Sequence, residues 1–160
     1  MSSNNSGKKF LVIGATGMMG GLVARGLLER GEDVRARARD AEKAQPLKDL
    51  GAEIAIADLD SPSSLTSAFD GVDSVLLVTG NVPDPSLHAM NAINAAKAAG
   101  VTHIVRYSVA ECTADSDLPL IREHAQTEND VRNSGIPYTI LRTHTYMQNL
   151  LVSAGTIISD

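Results

Sequence analysis

The sequence predicts an α/β protein in which a doubly wound parallel sheet of about six strands carries helices on both faces. Apolar, strand-like runs alternate with helical stretches along the 160 residues, and this alternation calls for right-handed crossovers. The first, fourth and fifth runs are nearly continuous in apolar residues, as strands buried on both faces should be. A glycine-rich turn follows the first run. These features predict the strand order 3-2-1-4-5-6, with ligands at the carboxyl ends of the strands. A flavodoxin-like sheet without a nucleotide site is the alternative, and the glycine turn disfavours it.

The predicted elements follow one another in strict alternation. Strands are expected at Lys9–Ile13, Asp33–Ala38, Glu53–Ala57, Ser74–Val78, His103–Tyr107 and Tyr138–Leu141. Helices are expected at Met18–Arg30, Ala41–Leu50, Ser63–Phe69, Ser86–Ala99, Leu118–Asn133 and Met147–Ala154. A glycine suited to a helix C-terminus follows each of the first five helices, at Gly31, Gly51, Gly71, Gly100 and Gly135. Asp40, Asp84 and Ser61-Pro62 are placed to begin helices as caps.

The turn after the first strand is the expected phosphate site. Gly14, Gly17 and Gly20 recur at three-residue spacing between an apolar strand and a helix. Gly14 would allow the tight turn, Gly17 the close approach of a pyrophosphate, and Gly20 the close packing of helix on sheet. Backbone N–H groups and the helix N-terminus then converge on one point, which predicts a dinucleotide site. A plain strand-to-helix turn is the alternative.

Composition limits the function classes. The length fits one domain, and the net charge of −5 with scattered basic residues gives no nucleic-acid surface. The single cysteine, Cys112, allows no intramolecular disulfide, which fits a reducing, cytoplasmic location. No apolar run reaches the ~20 residues that span a bilayer. Residues 1–8 lack the apolar core of a secretory signal and are expected to form a disordered tail before a domain covering residues 9–160.

The end of the second strand predicts which dinucleotide is bound. Arg35, Arg37 and Arg39 share one face of Val34–Asp40. An arginine here accommodates the 2′-phosphate of NADP, whereas a carboxylate favours NAD. Asp40 is better placed to cap the next helix than to bind a ribose. We therefore expect NADP(H), with NAD(H) as the alternative and Arg39 as the 2′-phosphate ligand. Arg35 and Arg37 are each expected to be solvated or ion-paired surface residues.

Two further strand ends complete the expected cofactor site. Asp58 and Leu59 follow the third strand, where a carboxylate can accept from the adenine amine and an apolar side chain can cover the ring. Thr79 and Gly80 follow the fourth strand, where small residues let a ribose or nicotinamide lie close to the backbone. Asp60-Ser61-Pro62 is expected to be only a turn and cap.

Several segments together resemble the NmrA-like branch of the atypical short-chain dehydrogenase/reductases. The resemblance covers residues from about Lys9 to Leu151 and lies in Gly14-Ala-Thr-Gly-Met-Met-Gly20, Val34-Arg-Ala-Arg-Ala-Arg-Asp40, Ala57-Asp-Leu-Asp60, the segment Asn91–Ser108 and Gly135-Ile-Pro-Tyr-Thr-Ile-Leu-Arg142. It implies an NAD(P)-binding Rossmann fold in which Thr16, Gly17, Met18 and Met19 meet the pyrophosphate. It assigns Arg39 to the 2′-phosphate, Asp58 and Leu59 to the adenine, and Thr79 and Gly80 to the inner ribose.

The resemblance also implies catalytic positions, with one departure. Ser108 stands where the superfamily keeps its catalytic serine or threonine, and His124 falls in the position of the catalytic lysine, with Glu128 behind it. Leu120 occupies the position of the tyrosine that gives a proton to the reduced carbonyl, and leucine has no proton to give. His124 is therefore expected to bind the nicotinamide ribose or to act as an acid. A surface His124–Glu128 pair is the alternative.

Other polar residues receive plainer interpretations. His88 and His103 have no partner at metal-ligand spacing, so surface positions are expected for both and no metal site is predicted. Cys112 is expected to be a passive thiol. His144, Tyr146 and Met147 follow the sixth strand, where the resemblance implies contacts with substrate. For Met147 a core position is the alternative, because it lies at helical spacing with Leu150 and Leu151.

The resemblance implies a C-terminal substrate lobe that this chain does not include, so the chain is expected to be a cofactor domain. The predicted function is hydride transfer from NADPH to a small molecule, a quinone or an enone, without nucleic-acid or membrane partners. A non-catalytic redox sensor that binds NADP(H) and signals to a protein partner is the first alternative, and a ligand-free structural domain is the second. A homodimer or a regulatory protein partner stays open, and exposed apolar surface would favour association.

Overall fold

A computed structural model describes residues 6–80, 84–144 and 146. Its strands are β1 Lys9–Ile13, β2 Asp33–Ala38, β3 Glu53–Ile56, β4 Ser74–Leu77, β5 His103–Val109 and β6 Tyr138–Thr143. Its helices are α1 Met18–Glu29, α2 Ala41–Asp49, α3 Pro62–Phe69, α4 Pro85–Ala98 and α5 Pro119–Asn133. The helix predicted at Met147–Ala154 lies outside the described residues.

The six strands form one parallel sheet in the order β3-β2-β1-β4-β5-β6. Val12 of β1 lies opposite Ala36 on one neighbouring strand and Leu76 on the other. The order reverses between β1 and β4, which opens a crevice at the carboxyl ends of these two strands. The doubly wound fold and its predicted strand order are confirmed.

Helices cover both faces of the sheet. On one face, α1 and α2 pack on β1 and β2 around Val12, Ala24, Val34 and Leu47. On the other face, α3, α4 and α5 enclose a larger core. Its members include Leu11, Ile13, Leu65, Phe69, Leu77, Ile93, Ile104 and Val131. Adjacent residues of β1 therefore serve opposite cores, as the pleat of a strand buried on both faces requires.

The two predicted aspartate caps are confirmed, whereas Ser61 precedes α3 without a side-chain capping hydrogen bond. Asp40 accepts a hydrogen bond from the Glu42 N–H at 2.9 Å, and Asp84 accepts one from the Leu87 N–H at 2.8 Å. All five glycines predicted to follow helices have positive φ, the conformation that glycine adopts without steric cost. Near the N-terminus, the Ser6 hydroxyl donates to the Glu32 carboxylate at 2.7 Å.

Candidate cofactor cleft

A cleft of about 820 Å³ lies at the carboxyl edge of the sheet. It gathers most of the predicted cofactor residues, which come from the β1–α1 turn and the start of α1, the segments after β2, β3 and β4, and helix α5. These are Gly14, Thr16, Gly17, Met18, Met19, Gly20, Arg39, Leu59, Thr79, Gly80 and His124. The lining also includes Arg37, Lys43, His88, Tyr107 and Tyr146. Asp58 and Ser108 are not part of it.

The glycine turn forms the floor of the cleft. Gly14 has φ +80°, and a Cβ atom there would lie 2.7 Å from the carbonyl oxygen of Val78 on β4. At Gly20 a Cβ atom would lie 2.6 Å from the carbonyl carbon of Gly14. The first glycine therefore allows the turn, and the third lets α1 approach the end of β1, as predicted. The Gly17 N–H donates to the Gly14 carbonyl at 2.9 Å and closes the turn.

One end of the cleft is basic. Arg39 and Lys43 are exposed at its mouth, and Arg37 lies behind them with only 8% of its surface exposed. The Nε of Arg37 is buried without a hydrogen-bond partner among the described residues, and one Nη lies 3.5 Å from the Asp58 carboxylate. Burial lowers the pKa of Arg37, and the negative charge of Asp58 opposes this effect.

The expected surface location of the second-strand arginines was wrong. Both Arg35 and Arg37 are buried. Arg35 pairs with Glu53 at 2.9 Å and donates to the carbonyl groups of Ala68 and Asp70 at 3.0 and 2.7 Å, so it caps the C-terminus of α3. This side of β2 faces polar groups of α3 and β3, which compensate the buried charge.

The segment after β3, where the adenine was expected, differs from expectation at Asp60 and at its partner His88. The Asp58 carboxylate accepts from the Asp60 N–H at 3.2 Å and faces Arg37, while Leu59 is buried at the cleft. His88 was expected at the surface but is 6% exposed and lies 2.8 Å from the Asp60 carboxylate. Asp60 is therefore more than a turn residue, because it holds His88 of α4 against the cleft.

The opposite end of the cleft lies against a buried carboxylate. Glu128 of α5 is fully buried and accepts from the Ser108 hydroxyl at 2.7 Å. Arg132 and Arg142 also donate to Glu128, at 2.7 and 2.6 Å. Burial alone would raise the pKa of Glu128, but the donors Arg142, Ser108 and Arg132 outweigh it and lower the pKa to about 2. Glu128 is thus ionised, and Ser108, which is 0% exposed, is turned towards it and away from the cleft.

His124 is held by a buried arginine that the sequence reasoning missed. Arg106 of β5 is 1% exposed, and its Nη2 lies 3.2 Å from His124 Nδ1. Burial and the charge of Arg106 lower the pKa of His124 to about 4, although Glu128 acts in the opposite direction. His124 is therefore neutral at neutral pH, which disagrees with the expectation that it acts as an acid near its ordinary pKa. The signal in the sequence was an arginine on the buried alternation of an apolar strand, between Ile104 and Ser108.

Two tyrosines stand beside His124 in the cleft. The hydroxyl groups of Tyr107 and Tyr146 are hydrogen-bonded, and their rings stack with centroids 6.3 Å apart. Tyr146 therefore faces the cleft, whereas His144 is exposed and Met147 lies outside the described residues. Leu120 at the start of α5 is 55% exposed, and its side chain has no proton to donate.

A second cavity of about 710 Å³ lies between α5 and the end of β6, and Cys112 lines it. Burial raises the pKa of the Cys112 thiol, and the negative charge of Glu128 acts in the same direction, so the passive interpretation of Cys112 fits its surroundings. The described residues contain no group of three His, Cys, Asp or Glu side chains that could hold a metal ion. No described helix is long and apolar enough to cross a bilayer.

Comparison with known proteins relates the chain to reductases and to an assembly factor. It is 38% identical over 147 residues to an NAD(P)H azoreductase of Xenophilus azovorans, covering 92% of this chain and 51% of that protein. It is 34% identical to the photosystem II assembly factor Ycf39 of Cyanophora paradoxa, covering 94% of this chain and 49% of the relative. The solved structure of an NADPH-dependent quinone oxidoreductase from Escherichia coli with NADPH is 36% identical and superposes with a TM-score of 0.81, covering 92% and 52% of the two chains.

The chain spans about half the length of the curated relatives it matches. The sequence pattern of the NmrA-like family matches residues 6–157, which is nearly the whole chain. The fold, the glycine turn and the relatives agree with that match. The chain belongs to the NmrA-like family.

Proposed function

We propose that this chain is the NADP(H)-binding domain of a reductase that passes hydride to a quinone or another conjugated small molecule. The observation that carries the proposal is one continuous cleft, which joins the basic group of Arg37, Arg39 and Lys43 to the glycine turn and to His124. NADP(H) has a 2′-phosphate at its adenosine end, a pyrophosphate in its middle and the reactive nicotinamide ring at its other end. The cleft has the matching order of groups.

The glycine turn suits a pyrophosphate. Backbone at Gly14 and Gly17 lies open to the cleft, and α1 begins at Met18 directly behind it. The first turn of α1 contains no acidic residue, so its N-terminus offers unopposed N–H groups to an anion. Thr16, Met18 and Met19 line the same part of the cleft and are the proposed pyrophosphate contacts.

The basic group suits the 2′-phosphate of NADP(H) better than the free ribose of NAD(H). Arg39 and Lys43 are exposed at the mouth, and Arg37 behind them has a buried Nε with no partner among residues 6–80, 84–144 and 146. An arginine fork suits a phosphate better than a neutral hydroxyl. Asp40 accepts from the Glu42 N–H at 2.9 Å, so this carboxylate is engaged in capping α2. NAD(H) therefore stays the weaker alternative.

The far end of the cleft suits the nicotinamide and the substrate. When bound there, NADPH supplies a hydride. Thr79 and Gly80 leave space beside the backbone of β4, and neutral His124 can donate a hydrogen bond to a ligand oxygen. Leu120 cannot give a proton, which favours substrates such as quinones, whose reduced oxygen can be protonated by water. The azoreductase and quinone oxidoreductase names of the relatives support this substrate class.

Titration with NADPH and NADH tests the proposal. NADPH is expected to bind the chain more tightly than NADH. Arg39→Ala should cost NADPH binding about 1.5–3 kcal/mol, the value of a hydrogen bond to a charged group, and should leave NADH binding almost unchanged. Arg30→Ala is the matched control, because Arg30 is exposed at the end of α1 and does not line the cleft. Equal affinity for both dinucleotides, or none for either, would refute the proposal.

A non-catalytic NADP(H) sensor is the second candidate function, and the exposed Leu120 in the place of a tyrosine favours it. The assembly-factor relative supports a role in which a partner protein binds the domain and responds to its cofactor. Steady-state oxidation of NADPH with a panel of quinones and enones discriminates between the two functions. Turnover supports the reductase, whereas binding of NADPH without turnover of any acceptor supports the sensor.

A further inference from the structure

Arg106 joins two elements that border the cleft. Its Nη1 donates to the Thr79 hydroxyl at 3.0 Å and to the Leu77 carbonyl at 3.3 Å, both at the end of β4. Its Nη2 lies 3.2 Å from His124 Nδ1 on α5. With 1% of its surface exposed, Arg106 has no freedom to turn towards solvent. The guanidinium therefore fixes the relative orientation of Thr79 and His124.

The chemistry of this contact determines the tautomer of His124. A guanidinium has only donors, so Arg106 must donate and His124 Nδ1 must accept. An accepting Nδ1 carries a lone pair, and a neutral imidazole with an unprotonated Nδ1 has its proton on Nε2. Protonation of Nδ1 would set an N–H against the Arg106 N–H groups. The ring is thus held neutral with Nε2–H as its donor.

Ser108 cannot donate to Nδ1, and as an acceptor it is the more distant partner, since its Oγ lies farther from Nδ1 than the Arg106 Nη2 does. Its Oγ lies 3.4 Å from His124 Nδ1 but only 2.7 Å from Glu128 Oε1. Ser108 has one hydroxyl proton, and it donates that proton in a hydrogen bond to the ionised Glu128, which is the nearer acceptor. Arg106 remains the donor to Nδ1. The other charged group that acts on His124 is Glu128, whose negative charge favours the imidazolium against the effect of Arg106.

Arg106 also orients Thr79 as a hydrogen-bond donor. The Thr79 Oγ accepts from Arg106 with one lone pair, so its own O–H is left to donate elsewhere. Thr79 and His124 both line the cleft. One buried arginine thereby prepares two neutral donors, the Thr79 O–H and the His124 Nε2–H, for uncharged acceptor oxygens.

We propose that Arg106 is a positioning residue that holds His124 in its neutral Nε2–H tautomer, so that His124 and Thr79 present hydrogen-bond donors to a ribose hydroxyl or a carbonyl in the cleft. The tautomer does not depend on any ligand. The identity of the acceptor as the nicotinamide half of NADPH rests on the proposed function. In this arrangement His124 orients a ligand and is not a proton source.

Nitrogen-15 NMR of the histidine rings in the ligand-free chain tests the tautomer. The signals of His124 are assigned as those lost in His124→Asn. At pH 7 and at pH 5.5 they should have the pattern of a neutral ring protonated at Nε2. A ring protonated at Nδ1, or an imidazolium at pH 5.5, would overturn the proposal. This measurement needs no change at Arg106, so it is decisive even where a variant fails to fold.

Variants then test whether Arg106 is the cause. Arg106→Met removes the donor and the charge while keeping an unbranched apolar chain, and it should let His124 sample both tautomers and become protonated at a higher pH. Arg106→Lys keeps a charged donor and should restore much of the Nε2–H pattern. Circular dichroism checks that each variant is folded. An unchanged His124 pattern in folded Arg106→Met would refute the role of Arg106.

Titration with NADPH, followed by the His124 signals, tests the ligand contact separately from the proposed binding of the cofactor. If His124 donates to the ligand, its Nε2–H signal should shift in proportion to the occupancy measured by titration. Saturation with NADPH without any shift would overturn the ligand contact. Absence of NADPH binding would instead refute the proposed function, while the tautomer would already have been decided in the ligand-free protein.

Discussion

At the residue scale, His124 is neutral because of where its neighbours lie. Burial disfavours the imidazolium, and Arg106 places a positive charge against Nδ1. The charge of Glu128 does not reverse this, since Arg132 and Arg142 already neutralise the carboxylate. The low pKa of His124 therefore comes first from burial and then from the charge of Arg106, and both are established only by the packed structure.

The pKa of His124 predicts how stability depends on pH. With a pKa of about 4 in the folded chain and about 6.5 in the unfolded chain, the unfolded state binds more protons between these values. The free energy of unfolding should therefore fall as the pH is lowered from 6.5 to 4, by up to about 3 kcal/mol from this residue. His124→Asn should flatten that part of the profile. Urea denaturation of both proteins at pH 7, 5.5 and 4.5 measures it, and parallel profiles would contradict the prediction.

The sequence predicted some of the residues of the cleft and did not predict the burial of three arginines. The glycines, Arg39 and His124 were identified because a turn or a family position demands those residue types. Arg35, Arg37 and Arg106 were not, since a charged side chain in a strand is ordinarily expected to reach water. Their burial depends on acceptors that lie far away in sequence, such as Asp70 for Arg35 and Thr79 for Arg106. No local pattern identifies such partners.

At the scale of elements, strand and helix identities were predictable, and their ends were less so. The expected β5 and β6 ended at Tyr107 and Leu141, yet these strands continue to Val109 and Thr143. They lengthen because they pair with each other through Val109 and Thr143. Helices α3 and α4 begin at Pro62 and Pro85, one residue earlier than expected, since proline suits the first position of a helix.

The packing of α1 on β1 predicts unequal effects for two substitutions in one helix. A Cβ at Gly20 would lie 2.6 Å from the Gly14 carbonyl carbon and 3.0 Å from the Ala15 nitrogen, whereas a Cβ at Gly26 meets nothing within 4 Å. Gly20→Ala should therefore destabilise the fold by about 1–3 kcal/mol and weaken NADPH binding. Gly26→Ala should stabilise it by about 0.5–1 kcal/mol. Chemical denaturation and NADPH titration of both variants check this, and equal stabilities would contradict it.

At the scale of the whole molecule, the strand order followed from alternation and crossover handedness, because few topologies satisfy both. The cleft followed from the strand order, since β1 and β4 are neighbours whose following helices pack on opposite faces of the sheet. The alternation did not reveal the side-chain link that joins β4, β5 and α5 within one half of the sheet. Arg106 makes this link, because it ties β5 to the end of β4 and to α5.

Because the cleft draws on β1, β2, β4 and α5, a bound dinucleotide should stabilise both halves of the sheet together. At 100 times its dissociation constant, NADPH should add about 2.7 kcal/mol to the free energy of unfolding. Hydrogen exchange should slow at Gly17 and Met18 and also at Thr79, Gly80 and the first turns of α5. Inorganic pyrophosphate is the control ligand, because it lacks the nucleosides and should protect the glycine turn alone. If NADPH gave the same restricted protection as pyrophosphate, the cofactor would be held only by its phosphates, and His124 and Thr79 would not contact it.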